Sequence, residues 1–184
     1  MITLFKVLLS IPIGVGLVYP FWQSDVTGGI LAELRFFGTV GTFFFIAIFL
    51  LLVYCYIQDL IKTLERVSPA SRKAKPNSVW FMFLLPYNFI EDFVIVSNVT
   101  KSLEAEATVN PALASFKSYG MVSGLGWCIA QIVSLIPNEL GSLAGLAAIG
   151  FWIWHWVFIR RVNKVLATHR EQNASKGIEV CEHK

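Results

Sequence analysis

Charge is what this chain has least of. Asp, Glu, Lys and Arg make up 15% of its 184 residues, where a soluble domain carries about a quarter. The net charge of +3 is too small to make the basic face that a nucleic-acid partner needs, so none is expected. Cysteine is scarce as well. Cys55, Cys128 and Cys181 have neither zinc-ligand spacing nor the even count of a disulfide framework, and the first two lie in apolar runs, where cysteine acts as a small hydrophobe. The motifs of soluble enzymes are missing: no Gly-x-Ser-x-Gly, no phosphate-binding glycine loop ending in Lys-Ser or Lys-Thr, no His-Glu-x-x-His. Neither a catalytic set, nor a metal site, nor a cofactor is expected from such a chain.

What is present is apolar. Hydrophobic residues account for 55% of the sequence, and the mean hydropathy is +0.63. Five apolar segments stand out, at 2–19, 36–57, 79–106, 119–136 and 140–159, and together they read as one membrane domain over 1–168. A polar tail, 169–184, is expected to be flexible. The first run is interrupted only by Lys6 and closed by Pro20-Phe21-Trp22, without the small-residue site at which a signal peptide is cut, and so reads as a retained signal anchor. Segment 36–57 is the cleanest. As a helix it rises about 33 Å, enough for a hydrocarbon core of about 30 Å. A polar, basic stretch, 58–78, follows and reads as a solvated loop, because Pro69 and Pro76 disfavour helix in the residues before them.

Segments 119–136 and 140–159 are separated by little more than Pro137-Asn138, which predicts a tight antiparallel hairpin. Gly120 and Gly124 on one arm, and Gly141 and Gly145 on the other, have the small-x-x-x-small spacing that lets helix backbones approach closely. Trp152, Trp154 and Trp156 before Arg160-Arg161 read as an interfacial belt, with Trp80 as a further anchor.

Segment 79–106 fits no simple span. Only about seven apolar residues precede Pro86, too few to cross, and the next residues are Tyr87 and Asn88. Beyond the break, Phe89, Phe93, Val96, Thr100 and Leu103 share one helical face, while Glu91, Asp92, Asn98, Ser102 and Glu106 gather on the other. Such a helix lies in an interface or lines a polar cavity. The distribution of Lys and Arg separates the topologies. Five crossings would put six cations on one side and nine on the other. If 79–106 enters and leaves on the same side, fourteen of the fifteen fall together and only Arg35 is opposite, as the positive-inside rule favours. The expected fold is an all-α polytopic membrane bundle of four spanning helices and one re-entrant helix, with five spans as the alternative and both termini cytoplasmic.

Val79-Trp80, then Leu85-Pro86-x-Asn88-Phe89, Phe93, Val96, Ser102-Leu103 and Glu106, with a late Trp-rich helix ending in Arg160-Arg161, resembles a group of small bacterial multi-helix membrane proteins. The resemblance covers roughly 57–164 and implies the membrane architecture and a bacterial inner-membrane location; it implies no activity. Glu91-Asp92 departs from it, since an aromatic or neutral residue is expected there.

Two features can carry chemistry. Glu91 and Asp92, with Asn88 and Pro86, form a candidate polar site: carboxylates inside a membrane segment often mark proton or cation paths, whereas on a solvated helix face they do no more than keep that face wet. The solvated face is the expectation here. His155 is a candidate ligand or proton relay, set against the plainer role of a hydrogen-bonded or interfacial histidine. Three functions follow: an accessory subunit packed on a larger membrane complex or on copies of itself, a small oligomeric ion or proton conductor using Glu91 and Asp92, or a redox subunit using His155.

Overall fold

A computed structural model describes residues 2–22 and 37–182. Within them the fold is all helical, with no strand. The α-helices are α1 (Ile2–Trp22), α2 (Gly38–Arg66), α3 (Asn88–Ala107), α4 (Met121–Val133) and α5 (Glu139–Glu182), and two 3-10 stretches, Pro76–Phe83 and Pro111–Leu113, flank α3.

Two of these helices are long and apolar enough to cross a membrane. They are α2 and the Glu139–Gln172 part of α5. The apolar part of α1, Thr3–Tyr19, is shorter, and α4 has 13 residues, about 20 Å of helix. Four spans are therefore not established by length. The reason for the short α4 is local: Gly120 at its start has φ +85, and the chain turns at 134–138 before Asn138 caps α5 by accepting from the Gly141 N–H (3.0 Å).

α2 and α5 run parallel, side by side. Ring contacts and hydrogen bonds join Phe49 to Trp152, Tyr56 to His155, Thr63 to Asn163 and Arg170 to the carbonyl oxygens of Glu65 and Arg66, advancing together along both chains. Two expectations are corrected here. The helix expected to end near Ile57 continues to Arg66, because Tyr56, Ile57, Leu60, Ile61 and Leu64 keep an apolar stripe through the polar sequence; it stops where Ser68-Pro69 forbids another turn. The tail expected to loosen after Thr168 remains helical to Glu182, with Arg170 docked on the end of α2.

On α5 the buried positions form a heptad stripe: Gly141, Gly145, Ala148, Trp152, His155, Ile159, Val162 and Leu166. Small residues occupy its first half and bulky ones its second. The main core follows that change, since Tyr56, Leu60, Leu64, Val79, Met82, Ile95, Val99, Leu103, Ile159, Val162 and Leu166 pack together around α3. By contrast, Gly38 to Leu52 on α2 and most of α1 expose apolar side chains on all sides.

α3 is the hub. It touches α1, α2, α4 and both 3-10 stretches. Of its residues only Lys101 and Glu104 are exposed.

Candidate functional site

The expected solvated face of α3 is not solvated. Glu91 is 7% exposed and Asp92 2%, and Ser102 and Glu106 are buried too. The amphipathic pattern was sound, but both faces are covered. α1, α4 and the loop after α2 close over the polar one, each bringing a polar partner with it.

Each buried acid has a specific neighbour. Glu91 is ion-paired with Lys6 of α1, both side chains being largely covered. The Asp92 Oδ2 accepts from Gln131 Nε2 of α4 (3.0 Å). Its Oδ1 has no donor among the described residues, and neither has the Oδ1 of Asn88, one helical turn away. Burying a carboxylate is costly unless its oxygens are hydrogen-bonded, so this half-satisfied end of α3 is the most polar point in an apolar setting. Pro86 stands at the turn into α3, where the Leu85–Pro86 peptide is cis, and packs near Gly14 of α1.

The other end of α3 is a clamp. The Glu106 Oε2 accepts from the backbone N–H and the hydroxyl of Ser68 (3.0 and 2.6 Å), and its Oε1 from Asn110 (3.4 Å). Burial alone would raise the Glu106 pKa, but the hydrogen bonds from Ser68 and Asn110 favour the charged form and bring it below the usual glutamate value. One turn earlier the Ser102 hydroxyl accepts from the Lys73 N–H (2.9 Å) and donates to the Asn98 carbonyl (2.6 Å). The Ser-Leu-x-x-Glu end of the segment thus holds the basic loop 67–75 against the helix bundle.

His155 is fully buried, with Nδ1 2.9 Å from the Tyr56 hydroxyl. Tyr56 stands within a cage of Trp127, Trp152 and Trp156, whose ring centroids lie 5.6–6.0 Å from its own. The other imidazole nitrogen, Nε2, faces the glycines of α4: a Cβ at Gly124 would lie 3.0 Å from it and one at Gly120 3.3 Å. No room is left at that nitrogen for a haem iron.

The glycines also work differently from the expected backbone-to-backbone packing. Gly124 lies beneath Val96 of α3 and His155 of α5, where a Cβ would overlap the valine methyl. Gly120 faces the Phe158 ring and Gly141 the Ile136 carbonyl in the interhelical turn. Gly120 and Gly124 admit large side chains, whereas Gly141 meets the backbone of the turn. Gly145 is buried in the α5 stripe.

Of the expected interface anchors, Trp154 is exposed, and Trp80 is exposed beside Tyr54, with centroids 5.9 Å apart. Trp152 is a correction, since it is buried in the core, drawn in by the α5 stripe. Trp156 is half-buried and donates through Nε1 to Asp59 Oδ2 (2.7 Å), which also accepts from Arg160 Nε (2.9 Å). The Arg160 guanidinium lies 4.9 Å from the Trp156 ring centre, and Arg161 is exposed.

Several partners were not singled out as such from the sequence: Lys6, Asp59, Gln131 and Asn163, whose amide donates to the Asp59 carbonyl (2.8 Å). A polar residue inside an apolar run was the available signal for Lys6 and Gln131. Comparison of the chain with protein-family models, with curated proteins and with solved structures returns no match in any of the three.

Proposed function

We propose that this protein is a small integral membrane subunit without catalytic activity of its own, held in a bacterial inner membrane by α2 and α5, with α1 and α4 as shorter membrane elements, α3 as the re-entrant helix and both termini cytoplasmic. Its role is to pack against a larger membrane assembly. One observation carries the reading. In the most apolar 18-residue window of α2 only 11% of residues are buried, against 28% in α5. A helix left bare on every side presents apolar area that water disfavours by about 25 cal/mol per Å², so lipid or another protein covers it. The 14-to-1 division of cations supports the orientation, and the resemblance to small bacterial membrane proteins supports the location.

The test is extraction from native membranes in a mild detergent with neighbours retained. A stable larger complex that loses this chain when Phe44 and Ile48 are both changed to Ala is expected. Recovery of the chain alone, in every detergent that preserves its fold, overturns the reading.

A second reading, the proton or cation conductor, is favoured by one observation: Asp92 Oδ1 and Asn88 Oδ1 are buried without donors, as oxygens awaiting a proton or cation would be. Proton or cation flux in liposomes that disappears in Asp92→Asn, with the fold intact, is its signature; equal flux in both chains removes it. The redox reading is not favoured: His155 Nε2 is likewise buried without a partner among the described residues, but Gly120 and Gly124 lie against it.

A further inference from the structure

We infer that the loop between α2 and the first 3-10 stretch is a binding site for a phosphate group, supplied by the headgroup of an acidic phospholipid or by a free phosphate. The inference rests on the membrane placement proposed above. Pro69, Arg72, Lys73, Ala74, Lys75 and Pro76 line an open cavity of about 290 Å³, close to the lower size at which small-molecule sites begin. Three of those six residues are cations. None has a carboxylate partner within ion-pair distance among the described residues, where the ion pairs are Lys6–Glu91 and Arg160–Asp59. The acid that does touch the loop, Glu106, is taken up by Ser68 and Asn110.

The site is built rather than merely charged. Ser68 is fastened to Glu106 and the Lys73 backbone to Ser102, so α3 fixes both sides of the loop. The Arg72 guanidinium donates to the Val67 carbonyl (3.1 Å), which closes the turn from within. Two prolines with fixed φ form the walls. The lysine ammonium groups are left to the ligand, and Lys73 and Lys75 are exposed. Ordering the loop in advance removes part of the entropy that a flexible basic segment would lose on binding.

The position suits a headgroup. Trp80 and Tyr54 pair at the edge of the apolar surface, as interfacial aromatics do. Four residues of chain separate Lys75 from Trp80, about 10 Å along the axis at the 3-10 rise of about 2 Å per residue. That separation puts the lysines at or just beyond the outer edge of the polar layer, about 5–8 Å deep, beside the hydrocarbon core. Basic clusters of this kind next to a membrane helix attract anionic lipid.

The experiment uses the full chain, its K73A/K75A variant and a K101A/K117A control with the same loss of charge at exposed positions outside the cavity. Each is placed in nanodiscs of phosphatidylcholine doped with phosphatidic acid, and the lipid retained after detergent release is counted by native mass spectrometry. In a second arm, inorganic phosphate is titrated onto the detergent-solubilised chains. K73A/K75A should retain phosphatidic acid about tenfold or more less than the parent. K73R/K75R should keep the parent's retention, and K101A/K117A should match the parent. Saturable phosphate binding by the parent, lost in K73A/K75A and unaccompanied by any lipid preference, assigns the site to a free phosphate. Equal losses in the two alanine doubles, or no preference in the parent in either arm, overturn the inference. Flotation of parent and K73A/K75A with phosphatidylcholine liposomes reads the membrane placement separately: failure to float defeats that placement and not the pocket.

Discussion

The molecule has two halves that obey different rules along the same pair of helices. From Tyr56 onward on α2, and from Trp152 onward on α5, side chains interdigitate as in a water-soluble core, with Leu60, Leu64 and Ile159 fully buried. In the preceding halves, Phe43, Phe44, Leu51, Leu143 and Leu146 are exposed and meet no cover among the described residues. The presence of Leu, Ile and aromatic residues does not by itself distinguish them, because each half contains some. The difference lies in what else reaches each half. α3, the two 3-10 stretches and the basic loop wrap one; the exposed side chains of the other are covered by none of the described residues. An apolar run in a membrane protein is therefore ambiguous until its neighbours are known.

Truncating a core residue should separate the halves most sharply. Leu60→Ala is expected to destabilise the detergent-solubilised fold by about 2–5 kcal/mol, the range for buried leucine, while Leu51→Ala, 60% exposed, leaves the melting temperature close to the parent's. Equal shifts would mean that α2 is covered along its whole length in solution.

Glycine substitutions probe the same division through excess volume. Gly124→Leu forces a side chain into Val96 and His155 and should destabilise by about 1–3 kcal/mol. Gly150 has open space around it, so Gly150→Leu should melt with the parent. If the second variant is the more damaging, α5 is packed at Gly150 and not at Gly124.

Removing one hydroxyl has a comparable or smaller effect. Tyr56→Phe leaves His155 Nδ1 buried without its partner and should lower stability by about 1–3 kcal/mol, whereas Tyr54→Phe, at a half-exposed ring, should change little. Chemical denaturation of both variants compares them directly.

The smallest effect concerns the clamp at Glu106. Its folded pKa is depressed, so its contribution is fully present above the ordinary glutamate value and is lost as pH falls through the folded one. Melting temperature should therefore decline below about pH 4.3, and Glu106→Gln should flatten that part of the decline. An unchanged acid limb in Glu106→Gln would show that Ser68 and the basic loop are held by something else.

Much of the fold could be read from residue order. Pro69 follows the end of the long helix α2, Pro76 opens the 3-10 stretch, Asn138 caps α5 after a short turn, and Pro86 separates that stretch from α3. The helical spacing of Leu60, Leu64 and Val67, four residues and then three, is equally present in the sequence, yet the polar residues among them suggest a loop. The candidate site was legible as residue types and not as an environment. Glu91 and Asp92 stood out as acids in an apolar segment, and the expectation that water covers them failed because Lys6, 85 residues earlier, and Gln131, 39 later, arrive to meet them.

Sequence alone determined the helical class, the scarcity of charge, the breaks at proline and the concentration of cations, since each depends on local backbone preference or on transfer between water and an apolar medium. Tertiary structure decided which helix faces are covered, that Gly124 makes room for His155, that Trp152 belongs to the core, and that the basic loop has a fixed shape. Those properties depend on contacts between residues far apart in the chain. Periodicity tells which side chains share a face, and only packing tells what that face meets.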